Sequence, residues 1–189
     1  MMRVAFAIAL GWLAVPCMVP AAVAVVGNGH ARSCFEAAAR DQPARGALRK
    51  CDNALEDRQL PPSDRAATLI NRGIVRMQAR DIEGAIADYD EAIRTAPAIA
   101  DAYINKGIAL LRMGQHDTEA VAQLTEGLSR NPAQPAIAYY SRAVANEQLG
   151  RTRDAYEDYS RAAQLAPEWA EPAEQLQRFK VVRGKTLQG

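Results

Sequence analysis

AIADYDEAI at residues 85–93, AVAQLTEGL at residues 120–128 and AYEDYSRAA at residues 155–163 are three versions of one stretch. They begin 35 residues apart, and each has a small residue, then a tyrosine or leucine, then another small residue in the same phase. With a closing proline, the recurring columns are Ala85/Ala120/Ala155, Tyr89/Leu124/Tyr159, Ala92/Gly127/Ala162 and Pro97/Pro132/Pro167. A fixed period of this length is typical of proteins built from stacked structural repeats.

Each repeat is predicted to contain two helices. The upstream segments 69–73, 103–107 and 139–143 also match one another, and apolar residues recur three and four positions apart, as in a helix. Gly114 and Gly150 suit the left-handed turn that ends a first helix. The second helices are expected to be capped by Asp81, Thr118 and Thr152.

This pattern resembles the tetratricopeptide repeat: an aromatic or leucine and then a small residue in the first helix, and Ala, an aromatic, Ala and Pro in the second. The resemblance implies an all-α fold, a right-handed α-solenoid of antiparallel helix pairs. It covers residues 61–169, with three units at about 66–99, 100–135 and 136–169.

The sequence departs from the family pattern at three positions. Arg80 stands where the family has a turn glycine, Leu124 replaces an aromatic residue, and Ala143 replaces a glycine. The second unit is therefore the weakest match.

The flanks are predicted to close the stack at both ends. Residues 32–60 look like a degenerate N-terminal helical hairpin, residues 170–183 are predicted to form a capping helix, and residues 184–189 a flexible tail. Cys34 and Cys51 lie on either side of the hairpin turn, which favours a disulfide worth about 3 kcal/mol in the chain-entropy model. Buried free thiols and a redox pair are the alternatives.

Residues 1–24 are predicted to be a signal peptide, because Arg3 precedes a short apolar run that ends in Ala22-Val23-Ala24. The alternatives are an uncleaved membrane anchor and lipidation of Cys17, which Pro16 disfavours. Cleavage after Ala24 predicts an exported, periplasmic or secreted protein without stable membrane insertion.

Charge and residue usage argue against a nucleic-acid binder and an enzyme. Removing residues 1–24 removes one basic residue and leaves 22 basic against 22 acidic residues, so the chain has no basic footprint. His30 and His116 stand apart from other ligands, so neither a metal site nor a cofactor is expected. Most of the acidic residues of the second helices are expected to be solvated, and the set is Asp88, Asp90, Glu91, Glu157 and Asp158.

The resemblance implies a concave groove lined by the first helix of each unit. The candidate partner-binding residues are Ile70, Asn71, Ile74, Met77, Ile104, Asn105, Ile108, Leu111, Arg112, Tyr140 and Val144. In the family an asparagine at the place of Asn71 and Asn105 can hydrogen-bond the backbone of a bound peptide. A clamp for a C-terminal carboxylate is not expected, because only Arg112 supplies a positive charge. The alternative for each apolar residue is a place in the core.

Three functions follow from these observations. The first is an exported interaction module that holds a peptide or helix of a partner protein in the groove. The second is a structural scaffold or self-associating component of a cell-envelope assembly, a possible homo-oligomer that uses its convex faces or Val181 and Val182. The third is a redox factor that uses Cys34 and Cys51.

Overall fold

A computed structural model describes residues 3–5, 22–24, 29–40 and 44–182. These ranges contain nine helices, namely α1 (Gly29–Ala39), α2 (Ala44–Glu56), α3 (Pro62–Gln78), α4 (Ile82–Thr95), α5 (Ala100–Met113), α6 (Asp117–Leu128), α7 (Pro135–Gln148), α8 (Thr152–Leu165) and α9 (Ala170–Leu176). Two short strands, β1 (Arg3–Ala5) and β2 (Lys180–Val182), pair antiparallel.

The helices pack in consecutive antiparallel pairs, which confirms the predicted all-α solenoid. Helices α3 and α4, α5 and α6, and α7 and α8 form three repeat units, and each second helix also packs on the next first helix. The hairpin of α1 and α2 precedes them, and α9 follows on α8.

Small residues allow the two helices of a unit to approach closely. A Cβ atom added at Gly73 would lie 2.8 Å from Cζ of Tyr89, and one added at Gly107 would lie 2.6 Å from Cγ of Leu124. The residues of the repeated columns on α4, α6 and α8 are buried. The alanine-rich, aromatic-poor composition thus supplies the contact surfaces of the helix pairs.

The turns inside the units need left-handed backbone. Gly114 and Gly150 have φ of 78° and 69°, as predicted, and Arg80 adopts φ of 64° in the first unit. An L-residue there costs about 1–2 kcal/mol, which explains why glycine is usual in this turn.

One of the three predicted helix caps is confirmed. Asp81 accepts a hydrogen bond at 3.0 Å from the Gly84 N–H. The predictions for Thr118 and Thr152 are wrong, because α6 begins at Asp117 and α8 begins at Thr152 itself. Both threonines therefore lie inside the first turn.

The N-terminal hairpin carries the disulfide. Cys34 on α1 and Cys51 on α2 are bonded, with their Cα atoms 4.6 Å apart and 17 residues between them in sequence. Both are fully buried in the cluster that includes Leu69 and Ile74 of α3. The disulfide therefore links the two helices of the hairpin, and its apolar packing places it against the first repeat unit.

The C-terminal capping helix is shorter than the predicted span of residues 170–183. Helix α9 ends at Leu176, and residues 180–182 form β2. The chain leaves the helix so that Phe179 packs on the rings of Tyr156 and Tyr159. Residue 183 and the predicted tail, residues 184–189, lie outside the described residues.

Two short parts of the predicted signal peptide are described. Residues 3–5 form β1, with Val4 opposite Val181, and residues 22–24 lie against α3. The rest of residues 1–24 lies outside the described residues, so the signal peptide stays a prediction. Within the described ranges, each helix is too short or too polar to cross a bilayer.

Candidate binding groove

The first helices of the units stand side by side. Helix α3 contacts α5, and α5 contacts α7, in addition to their contacts with the second helices. Side chains at matching positions of α3, α5 and α7 therefore form rows that run across the stack, which is how a helical repeat protein builds an extended binding surface.

Asn71 on α3 binds the main chain of Val23. Its Nδ2 donates to the Val23 carbonyl oxygen at 2.8 Å, and its Oδ1 accepts from the Val23 N–H at 2.9 Å. The Asn71 side chain is fully buried under this contact. An amide side chain that pairs with both main-chain groups of one residue can bind an extended segment without regard to its side chain.

All eight of the predicted apolar groove residues are buried. Ile74 has 0%, Ile108 2% and Leu111 8% of its surface exposed, where an open groove would require substantial exposure. The other apolar candidates are also buried, and they are Ile70, Met77, Ile104, Tyr140 and Val144. Their binding role stays a prediction, and their burial matches the alternative of core residues.

Two of these candidates have defined packing partners within the stack. A Cβ atom added at Gly127 would lie 2.6 Å from Cγ1 of Ile104, so Ile104 fills the space between α5 and α6. The ring of Tyr140 lies 5.3 Å from that of Tyr159 on α8 and 4.8 Å from that of Trp169. These contacts join helices of the stack to each other.

The polar candidates of the second unit differ in exposure. Asn105, the counterpart of Asn71, is 2% exposed. Arg112 is half-buried beside a shallow depression of about 280 Å³. That depression is lined by Arg80, Asp81, Ile82, Glu83, Arg112 and Met113. Its mixed charges and open shape give it no defined ligand chemistry.

At the third unit, side chains from the C-terminal part of the protein pack on α7 at the end of the row. Glu147 on α7 accepts hydrogen bonds from the Tyr159 hydroxyl at 3.1 Å and from the Arg178 guanidinium. Trp169, which immediately precedes α9, packs its ring on Tyr140 of α7. The contact of Asn71 with Val23 lies at the other end of the row, on α3.

An ion-pair network that the sequence analysis missed ties the helices of the first unit together. Asp88 is 2% exposed, and its oxygens accept from Arg72 at 2.6 Å and from Arg76 at 2.9 Å. Arg72 also reaches Asp52 on α2 at 2.9 Å. Asp88 is therefore an exception to the expectation that most of these acidic residues are solvated, because two arginines supply the charge that its burial requires.

The third unit repeats this arrangement. Asp158 is 6% exposed, and it accepts from Arg142 at 2.7 Å and from Asn146 at 3.2 Å. Asp158 is therefore a second exception to that expectation, with one arginine and one asparagine as its partners. The hydrogen bond to Asp158 raises the pKa of Arg142. In the second unit Gln123 takes the acidic position, and Lys106 binds Asp90 at 2.9 Å instead.

The columns of the repeat carried a signal for this network. Arg72 and Asp88 are 16 residues apart, as are Arg142 and Asp158, and both pairs keep the phase of the repeat. Opposite charges in phase on facing helices indicate a buried pair, whereas scattered charges such as Glu157, which is exposed, indicate solvent.

The described residues offer little for metal or nucleophile chemistry. In residues 3–5, 22–24, 29–40 and 44–182, groups of three or more potential metal ligands are absent. Cys34 and Cys51 are joined and buried, as a structural staple would be. The stacked helix pairs thus define an α-helical repeat protein, a class that presents surfaces for binding.

Comparison with known proteins identifies the family. The sequence profile of the tetratricopeptide repeat matches residues 70–135 and 118–168, which together make up more than half of the chain. The chain therefore belongs to the tetratricopeptide repeat family, whose fold is a non-catalytic interaction module. The resemblance stated from the sequence is confirmed.

Individual relatives match the repeat region. Protein FlbA of Caulobacter vibrioides is 35% identical over 98 residues, which are 50% of this chain and 16% of FlbA. The chain spans a quarter or less of the curated relatives that it matches.

Solved structures share the fold. MamA from Desulfovibrio magneticus RS-1, residues 41 to the end, superposes with a TM-score of 0.64 at 22% identity, covering 79% of this chain and 82% of MamA. The first repeat domain of Spaghetti (RPAP3), solved with the HSP90 peptide SRMEEVD, gives 0.58 at 22% identity, covering 61% of this chain and 93% of that domain.

Proposed function

We propose that this protein is an interaction module whose first helices hold an extended segment of a partner protein, with Asn71 binding the partner's main chain. The observation that carries the proposal is the pair of hydrogen bonds between the Asn71 side chain, which donates one and accepts the other, and the two main-chain groups of Val23. The likeness to a repeat domain solved with a peptide supports it.

The chemistry around Asn71 favours a neutral, apolar segment. Ala22 and Val23 pack on a cluster of buried residues that includes Ile70 and Ile74. Arg72, the neighbour of Asn71, is already paired with Asp88 and Asp52. The positive charge of Arg72 is therefore already neutralised and would not attract a segment with an acidic end. This agrees with the expectation that the groove is not a clamp for a carboxylate.

The proposal places the protein outside the cytoplasm, as an exported, periplasmic or secreted protein, and gives it no catalytic role. The disulfide between Cys34 and Cys51 supports this location, because such bonds persist in oxidising compartments. The intact mass of the protein purified from the cell envelope tests it. A mass that includes residues 1–24 would contradict cleavage after Ala24.

Capture of the partner in its own compartment tests the binding proposal. We expect the double substitution Asn71→Ala and Asn105→Ala to abolish the crosslinked partner that the unmodified protein yields. Asn53→Ala is the matched control, because Asn53 is exposed on α2 and lies away from the row. Equal yields from the double variant and the control would contradict the proposal, provided that their melting temperatures agree.

The structural scaffold or self-associating component stays a second prediction. The sequence placed its contacts on the convex faces or on Val181 and Val182, and β2 pairs these two valines with Val4 and Arg3 of the same chain. Solution mass over a range of concentrations tests it, because a concentration-dependent dimer would favour this function over the first.

A further inference from the structure

The contact at Asn71 is made by the protein's own chain. Residues 22–24 lie outside the helices and strands, and Val23 meets the Asn71 side chain 48 residues further along the sequence. The side chains of Ala22 and Val23 are partly buried on the cluster of α1 and α3, whereas Ala24 is exposed. Polar and apolar contacts thus act together at one place.

The two hydrogen bonds are independent of sequence. They engage only the N–H and carbonyl of Val23, so another segment can form the same pair. Burial of the Val23 side chain adds a hydrophobic contribution to this contact. A competing segment would also need to bury an apolar side chain there.

A second contact holds the same N-terminal region. Residues 3–5 pair with β2, which follows the closing helix α9 at the other end of the repeats. Segments tethered in this way bind at an effective concentration that a free segment must exceed, in the millimolar range for short linkers.

We propose that the segment Ala22–Ala24 is an internal occupant of the Asn71 site, which excludes partner segments as long as it stays attached. The effect on partner binding rests on the proposed function, whereas the internal contact does not. Cleavage after Ala24, which the sequence predicts, would remove the occupant and leave Asn71 available. Processing of the chain would then also open its binding site.

The test uses the full chain with a proline in place of Val23. Val23→Pro removes the N–H that Asn71 accepts while it leaves the site itself unchanged. Ala24→Pro is the matched control, because it brings in the same ring one residue later, at an exposed position that keeps the Val23 N–H. The probe is a fluorescent synthetic peptide with the sequence of residues 19–27, titrated by anisotropy.

We expect the Val23→Pro chain to bind the probe at least about tenfold more tightly than the unmodified chain and the Ala24→Pro chain. Adding Asn71→Ala to Val23→Pro should remove this gain. Detectable binding of the probe with equal affinity by the Val23→Pro and unmodified chains would overturn the inference.

Hydrogen exchange at the Val23 N–H separates the two proposals. The internal contact predicts slow exchange in the unmodified chain and fast exchange in the Asn71→Ala chain. Slow exchange without probe binding by the Val23→Pro chain supports the internal contact and counts against the proposed function. The opposite outcome is fast exchange in the unmodified chain together with equal probe binding by all chains that retain Asn71. It would overturn the proposal that Ala22–Ala24 occupies the site, and it would leave the proposed function intact.

Discussion

At the scale of single residues, the absence of a side chain at Gly73 determines how closely α3 and α4 pack. The aromatic ring of Tyr89 occupies the space that a methyl group at Gly73 would need, and Tyr89 is itself fully buried. In the third unit Ala143 stands at the matching position, so the spacing of that pair is set differently.

Gly73→Ala is therefore expected to destabilise the protein. Overpacking costs about 1–3 kcal/mol, which the better helix propensity of alanine, about 1 kcal/mol, offsets only in part. Gly46→Ala on α2 is the matched control, because a Cβ atom there meets nothing within 4 Å. Chemical denaturation should show a loss for the first variant and a gain of about 0.5–1 kcal/mol for the second. A gain for both would contradict the packing account.

The Asn71 contact is a residue-scale feature whose occupant the sequence did not predict. The repeated asparagine at Asn71 and Asn105 indicated a main-chain binder, and the structure places Val23 of the same chain there. Sequence could not supply this detail, because a contact across 48 residues depends on where the folded stack leaves space.

At the scale of elements, the second helices begin at positions 35 residues apart but with different capping residues. Asp81, His116 and Arg151 are the residues that precede α4, α6 and α8, and of these three only Asp81 makes a side-chain capping bond. The period of the repeat therefore determines where a second helix begins. The residue just before that position determines whether a side chain caps the helix.

Asp81→Ala is expected to lower the free energy of unfolding by about 1 kcal/mol, because the Gly84 N–H loses its acceptor. Arg151→Asp, at the matching position of α8, should raise it by about 0.5–1 kcal/mol by adding a cap. Urea denaturation of the two variants measures both effects. Changes of the same sign would show that capping does not control these helix starts.

The helix pairs themselves could be predicted from the sequence, because the columns of small residues and prolines recur at a fixed period. The end of α9 could not, because the apolar residues after Leu176 fit both a helix and the observed turn that brings Phe179 onto Tyr156. The burial of Ile74 and Ile108 was also undetermined, since an apolar residue on a first helix serves a groove and a core equally well.

At the scale of the whole molecule, three buried tyrosines make the fold sensitive to alkaline pH. Burial raises the pKa of Tyr140 to about 12 and raises the pKa values of Tyr89 and Tyr159 as well. The unfolded chain loses these phenol protons near pH 10, whereas the folded chain keeps them. Deprotonation therefore favours the unfolded state, and stability falls as the pH rises above 10.

Above pH 10, each of these tyrosines lowers the free energy of unfolding by about 1.4 kcal/mol per pH unit. Tyr89→Phe should remove about one third of their combined slope. At neutral pH it should cost little, because the Tyr89 hydroxyl is buried without a hydrogen-bond partner among the described residues. Tyr159→Phe is the comparison, since it also loses the bond to Glu147. An unchanged slope between pH 10 and 12 in the Tyr89→Phe variant would refute the argument.

Binding of a partner segment at Asn71 can be tested by site-specific photocrosslinking in the cell from position 78. Gln78 lies on α3 beyond Asn71 and is half-buried, whereas Ala87, the control position, is exposed on α4. If a partner segment binds at Asn71, we expect a discrete adduct between the protein and its partner from position 78. This adduct should disappear with Asn71→Ala, and position 87 should give none. Adducts of equal yield with and without Asn71→Ala would contradict it.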